Sequence, residues 1–274
     1  MSSRSTARPG GRLGRRPRRA LAAAAAVGVA VVGAVALIDG GDDDPGGDPA
    51  AALRALPGAG AAVEEAAEPS AALRPPLYAI ATVRAGARIA LRRSPRGAAI
   101  RTVGDATEFG SARSFWVARV RGDWLGVPAP ELPNGELAWI RDDRDRLEVL
   151  QSRYSLHADL SDRALLLRYG NRVLDRIPVT VGGEGTPTPT GSYSVTDALA
   201  GARIGPWYGC CVLALSGHQP NLPSGWIGGD RIAIHGTPGV VGGAASSGCL
   251  RAADSDMVGL FARVPLGTPV FVRA

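Results

Sequence analysis

A mainly β protein is predicted by three observations. Between Leu77 and Leu150, short stretches of alternating apolar and polar residues recur, broken by Gly, Pro, Asn and Asp at the spacing of a small β-barrel. The segment that follows, 151–274, carries further strand-like runs of Val, Ile and Leu. Only one stretch near the C-terminus repeats its apolar residues at helical spacing, so a single short helix is expected. A chain of 274 residues is long enough for two small domains and non-globular segments besides.

The first 76 residues read as neither domain. Seven arginines and no acid fall in residues 1–20, and Ala20 to Ile38 is a run without charge. A helix of that length, at ~1.5 Å per residue, just spans a hydrocarbon core. Arginines before it and Asp39, Asp42, Asp43 and Asp44 after it fit the positive-inside rule. Residues 1–19 are therefore expected as a cytoplasmic tail, 20–38 as a transmembrane helix that holds the chain in the cell membrane, and the remainder as exported. A cleaved signal peptide, processed at Ala34-Val35-Ala36, is the alternative. Residues 39–76, rich in Asp, Gly, Pro and Ala, read as a disordered linker. All 31 basic residues are arginine and the net charge is +6. Beyond residue 20, however, 24 arginines face 25 acids. The excess belongs to the tail, and no nucleic-acid partner is expected.

In the barrel segment, 77–150, the expected strands are Tyr78-Ala-Ile-Ala-Thr-Val83, Arg88-Ile-Ala-Leu91, Phe115-Trp-Val-Ala-Arg-Val120, Trp124-Leu-Gly-Val127 and Leu137-Ala-Trp-Ile140. Alternating patterning assigns Trp116, Trp124 and Trp139 to the core rather than to a ligand groove. In the segment 151–274, Arg163-Ala-Leu-Leu-Leu-Arg168 and Val173-Leu-Asp-Arg-Ile-Pro-Val-Thr-Val181 form a hairpin through Gly170-Asn171. Pro178 confines the second of these to an edge or a bulge. Thr186-Pro-Thr-Pro-Thr-Gly191 is too rigid for a strand and turns the chain toward Ser192-Tyr-Ser-Val195. The helix is expected to begin at a cap on Asp254 or Ser255, to align Met257, Leu260, Phe261 and Val264 on one face, and to stop before Pro265. Everything else reads as β.

Chemistry concentrates in Arg231-Ile-Ala-Ile-His235-Gly-Thr237 and, after a glycine- and alanine-rich loop, Ser246-Ser-Gly-Cys249-Leu-Arg251. A free thiol titrates near ~8.5, so it needs a neighbouring base to be nucleophilic at neutral pH. His235, at the end of an apolar strand, is that base. Gly236 leaves room beside it for a substrate or for tight backbone packing, and its carbonyl is placed to orient the imidazole. Ser247, Gly248 and Cys249 in a tight turn would aim successive N–H groups at one point, as an oxyanion hole requires. Cys210 and Cys211 are adjacent, closer than unstrained disulfides prefer, so two reduced, buried strand cysteines are expected over a vicinal bridge. No metal is expected, because only three histidines exist and no pair has standard ligand spacing; no cofactor is called for. His218 is assigned to a loop near the site.

The pattern His-Gly-Thr, loop, Ser-x-Gly-Cys-hydrophobic-Arg resembles the signature of the L,D-transpeptidase (YkuD-like) catalytic domain. The resemblance extends upstream to Val181-Gly-Gly-Glu-Gly-Thr-Pro-Thr-Pro-Thr190-Gly191 and downstream to the final Gly267-Thr-Pro-Val-Phe-Val strand, covering most of 160–274. It implies a β-sandwich with one short helix and peptidoglycan stem peptides as the partner. It also implies Cys249 as nucleophile, His235 as base, Ser246, Ser247, Gly248 and Thr237 around the oxyanion and substrate, and Arg251 on a substrate carboxylate. One departure stands out: Ser247 occupies the place of a second family histidine. The run Asp123-Trp-Leu-Gly-Val with Asn134-Gly-Glu-Leu-Ala-Trp-Ile140 likewise resembles a bacterial SH3-like domain. Together these imply a membrane-held wall enzyme that forms cross-links. A stem-trimming L,D-carboxypeptidase and a non-catalytic wall-binding protein are the rival readings.

Overall fold

The computed structural model describes residues 75–274. The expected tail, the apolar run at 20–38 and the linker up to residue 74 lie outside these residues. Among the described residues no helix is long and apolar enough to cross a membrane.

Eight strands make up the first part: β1 (Tyr78–Val83), β2 (Ile89–Arg92), β3 (Ala99–Val103), β4 (Ser114–Trp116), β5 (Arg119–Arg121), β6 (Trp124–Val127), β7 (Ala138–Arg141) and β8 (Leu147–Ser152). They pair in the orders β3-β2-β7-β6-β5 and β4-β1-β8. Alternation sends Leu91, Leu125, Val127, Ile140 and Leu147 inward onto Phe115. The expected run 115–120 is two strands, because the chain changes sheets there: Val117 N–H donates to Ala79 and Ala118 N–H to Gly126. β3 and β8 have mostly solvent-facing residues, which hid them from an apolar pattern. Of the tryptophans only Trp139 is buried as expected, though outside this cluster, while Trp116 and Trp124 are half-buried. Trp139 is buried beneath the Arg121 guanidinium, Trp124 stacks with Arg92, and Trp116 packs on Phe271 of the second part at 5.3 Å.

The second part comprises β9 (Tyr154–Asp159), β10 (Ala164–Tyr169), β11 (Arg172–Pro178), β12 (Val181–Gly182), β13 (Gly191–Ala200), β14 (Cys211–His218), β15 (Arg231–Thr237), β16 (Ala244–Ser246), β17 (Leu250–Ala253), α1 (Asp254–Arg263) and β18 (Pro269–Arg273). Eight of these strands share one sheet, β11-β10-β9-β18-β13-β14-β15-β17, while β12 pairs with β16. The ten-residue β13 joins its halves: residues 191–194 pair with β18 and residues 195–200 with β14. The halves share one core that takes Leu156, Leu167, Val195, Leu213, Ile234 and, from α1, Met257. The sandwich is thus one continuous sheet rather than two. Gly170 makes the expected hairpin turn at φ +60°, and β11 with Pro178 lies at the sheet edge.

Two local expectations are corrected. Ala253 takes the helix cap with no side-chain bond, and Asp254 is the first helical residue. Its carboxylate accepts the Cys210 N–H at 3.0 Å instead of capping its own helix. The chain between β13 and β14 is not extended but makes two single-turn 3-10 helices, Gly201–Arg203 and Pro206–Tyr208. A proline at the first position of the latter has its φ preset for such a turn.

Barrel loops press on the half-sheet that carries β14 and β15. Asn134 brackets the backbone of His218, donating to its carbonyl at 2.7 Å and accepting its N–H at 2.8 Å. Glu108 pairs with Arg231 at 2.8 Å, and Thr107 donates to the fully buried Asp197. The loop bearing Thr107 and Glu108 is itself braced by the buried Arg113–Glu131 pair and by Arg113 donating to Gly104 and Ala106. The barrel therefore buttresses the strand that delivers His235.

Candidate active site

β15 carries His235 near its end, and the residue is only 4% exposed. Its Nδ1 lies 2.8 Å from the Gly236 carbonyl. A carbonyl can only accept, so Nδ1 carries the proton and the neutral ring leaves Nε2 as a free acceptor. Burial lowers the imidazole pKa from its ordinary value, and Arg251 adds to this; the Gly236 carbonyl and Asp254 pull the other way. The ring of Tyr208 packs against it, centroids 4.8 Å apart. Gly236 makes room for protein rather than substrate, since a Cβ there would fall on the Asp254 carboxylate.

Cys249 reaches the same place through a parallel pairing. β17 runs beside β15 with His235 opposite Arg251, so the loop just before β17 brings Cys249 alongside His235. Both line a cavity of about 220 Å³, with Tyr208, Gln219, Ser247 and Arg251. Protein surrounds the half-exposed cysteine closely enough that burial raises its thiol pKa, while a backbone hydrogen bond at Ala233 and the Arg251 charge lower it. At neutral pH the resting pair is therefore thiol and imidazole, one proton transfer away from a nucleophile.

The turn that holds the cysteine is bound from both sides. The buried Ser246 hydroxyl donates to the Cys249 carbonyl at 2.6 Å and accepts the Gly248 N–H at 3.1 Å. Gly248 has φ +108°, and a Cβ there would meet Gln219 Nε2. Gln219 in turn donates to the carbonyls of Pro187, Thr186 and Ser247 at 3.0, 3.2 and 3.3 Å. The amide thus ties the Thr-Pro-Thr-Pro segment to the cysteine turn. A convergent row of three free N–H groups at 247–249 is not what forms: Gly248 spends its donor on Ser246.

Other expected site residues divide. Arg251 lines the cavity, and its buried Nε has no hydrogen-bond partner among the described residues. Thr237 does not line the cavity; its hydroxyl accepts the Gly239 N–H at 3.2 Å. His218 ends β14 and serves the barrel contact, with Nε2 2.8 Å from the Pro130 carbonyl and Nδ1 3.0 Å from Asp230. Cys210 and Cys211 are joined as a vicinal disulfide, contrary to the expectation of two thiols. The turn after Tyr208 brings the two sulfurs together, with the Cys210 N–H fixed on Asp254. Among the described residues no cluster of three or more His, Cys, Asp or Glu side chains is arranged to hold a metal.

Sequence reasoning missed Tyr208, Gln219, Asp254 and the exposed rim tryptophans Trp207 and Trp226. Gln219 follows the polar end of β14, Ser216-Gly-His218, and Asp254 stood out only as a helix-cap candidate, so neither carried a site signal.

The β fold thus presents an imidazole, a thiol and a guanidinium to one cavity. Residues 153–272 match the family model of the YkuD L,D-transpeptidase catalytic domain. The protein YkuD of Bacillus subtilis (strain 168) is 31% identical over 122 residues, which take in 44% of this chain and 66% of that protein. The chain thus spans just under two thirds of that curated relative. Among solved structures, an L,D-transpeptidase from Mycobacterium smegmatis is similar at 18% identity over 57% of this chain and 80% of that one, with a TM-score of 0.37. L,D-transpeptidase 1 of Mycobacterium tuberculosis is similar at 15% identity over 50% and 77%, with a TM-score of 0.33. The family-model match supports an L,D-transpeptidase catalytic domain in the second part of the chain.

Proposed function

We propose that this protein is a peptidoglycan L,D-transpeptidase acting through a cysteine acyl-enzyme. The observation that carries the reading is the meeting of His235, Cys249 and Arg251 in one cavity. In the first step His235 Nε2 takes the thiol proton and Cys249 Sγ attacks the carbonyl before the terminal D-alanine of a tetrapeptide stem. With Gly248 engaged, the N–H groups of Ser247 and Cys249 are the donors to the tetrahedral oxyanion. The C–N bond breaks, His235 returns the proton to the departing amine, and a thioester remains. In the second step an amine from a neighbouring stem attacks the thioester, His235 takes the proton of that amine, and the thiol leaves protonated. Arg251 pairs with a carboxylate of the stem. No cofactor enters either step.

The same proposal places the apolar run 20–38 in the cell membrane and the catalytic domain on its outer side, the support being the arginine-rich tail ahead of the run and the acids behind it. The barrel is read as an SH3-like module. Intact-mass analysis of the chain after incubation with a disaccharide-tetrapeptide, beside Cys249→Ala, tests the chemistry. An adduct on Cys249 with dimeric muropeptides is expected. D-alanine release with monomers only would make the protein a carboxypeptidase, and a folded protein with no adduct and no product would make it a wall-binding protein.

A further inference from the structure

Strand register gathers four arginines on one face of the five-stranded barrel sheet. Arg121 sits opposite Trp124, which sits opposite Arg141. Arg119 sits opposite Gly126, Gly126 opposite Trp139, and Trp139 opposite Arg92. Cross-strand partners and residues two apart point the same way. All four arginines and both tryptophans therefore share the face turned away from the core, whose other side holds Leu91, Leu125 and Ile140. Arg119, Arg121 and Arg141 are exposed. None of the four lies within ion-pair distance of a carboxylate among the described residues, whereas Arg93, Arg113, Arg144 and Arg146 of the same barrel do.

The tryptophans form the floor of this face. The Arg92 guanidinium stands 5.7 Å from the Trp124 ring centroid, and that of Arg121 5.0 Å from the Trp139 ring. Trp139 lies across β6 because Gly126 has no side chain; a Cβ there would already stand 3.2 Å from the ring. Stacking on indole restrains two long side chains before any ligand arrives, which reduces the ordering cost of binding. It also covers the rings, so the face presents positive charge rather than aromatic surface. Stacking of sugars or bases and insertion of apolar groups into lipid are both disfavoured by that arrangement.

We infer that this face docks a linear phosphate polymer lying across β5, β6, β7 and β2. Three strand spacings set the width of the charged band at about 14 Å. Three exposed guanidiniums, with the half-buried Arg92 beside them donating to the Gly97 carbonyl, make a dense line of charge in a short span, and a phosphate polymer carries an anion on every repeat, each suited to a guanidinium fork. The surface is separate from the cavity at Cys249, and its role does not depend on the acyl-transfer reading.

Inorganic polyphosphate is the probe, titrated against the full chain at several salt concentrations. Arg119→Gln/Arg121→Gln/Arg141→Gln is compared with Arg172→Gln/Arg176→Gln/Arg273→Gln, which removes equal charge from exposed positions of the second part. The barrel triple is expected to weaken binding at least about tenfold near ~0.1 M salt and to reduce the slope of log K against log salt by about two. The control triple should change each by less than half as much. Arg119→Gln/Arg141→Gln, which leaves the Arg121–Trp139 stack intact, should retain the wild-type melting temperature and show about two thirds of the slope change. Equal losses in both triples would reduce the effect to net charge and overturn the proposal. Unchanged binding in the barrel triple would overturn it too, as would anionic phospholipid vesicles binding more tightly than polyphosphate through the same arginines.

Discussion

Replacing Gln219 by leucine keeps the side-chain volume and removes the amide that ties the cysteine turn to the Thr-Pro-Thr-Pro segment. Nε2 has three carbonyl neighbours at 3.0–3.3 Å but only two hydrogens, so two full bonds are the most it can make. At ~1 kcal/mol net each, these contribute about 2 kcal/mol. The side chain is 4% exposed, and leucine would leave carbonyls facing an apolar group, costing about 1–2 kcal/mol more. A total near 3–4 kcal/mol lowers the melting temperature by about 6–16 °C for a body of this size. The same change frees the Ser247 carbonyl and lets Gly248 drift from φ +108°, so the thiol should lose its fixed position. Thermal melts beside the rate of Cys249 alkylation by iodoacetamide read both effects. A variant melting within about 2 °C of wild type, with Cys249 alkylated at the wild-type rate, would refute the view that Gln219 holds the turn.

Three further outcomes are expected. Ser247→His should acylate as fast as wild type or faster, because the proposed mechanism uses His235 as the base; slower acylation in stopped-flow or mass measurements would show that Ser247 has a role of its own. Because burial lowers the His235 pKa and an imidazolium cannot accept the thiol proton, acylation should be lost only as pH falls below about 6.5. An acid limb centred above that value would instead show that the site raises the His235 pKa, contrary to the effect of burial. His157 is held down to about 4, chiefly by burial and then by Arg168 and Arg273. Between about 6.5 and 4 the unfolded chain binds a proton that the folded one refuses, so stability falls as pH drops through that window and not above it. At ~1.4 kcal/mol per pH unit, halved for a half-exposed ring, the loss is about 1–2 kcal/mol. Urea titrations of His157→Gln should lack that slope.

Much of the site was legible because its chemistry lies in two short stretches. The sequence places His235 at a strand end and Cys249 in a Ser-Ser-Gly turn, and these residue types have few other reasons to occur together in such settings. Local rules also sufficed for the hairpin at Gly170, the edge strand with Pro178 and the helix that buries Met257 and Leu260. Each depends on contacts within a few residues. The continuous sheet was different, since the division of β13 between two partners depends on strands that lie far apart in the chain. Trp116, Trp124 and Trp139 follow the same alternation as core residues, and only strand pairing, of β4 with β1 for the first and of β2, β5, β6 and β7 for the other two, reveals which side of its sheet each one faces.

The sequence by itself determined the mainly β class of fold and singled out His235 and Cys249 as candidates, because periodicity and reactive side-chain types are properties of short segments. Tertiary structure alone decided which groups surround them. Gly248 gives its N–H to Ser246, Gln219 arrives from the far end of β14, Tyr208 comes from a turn with no strand pattern, and Asp254 leaves its helix cap for the Cys210 N–H. The physical reason is that a buried polar group takes whichever partner the folded chain brings within about 3 Å; for Gln219 and Asp254 that partner lies far away in the chain, for Gly248 it lies in the same turn, and Tyr208 arrives by ring packing on His235.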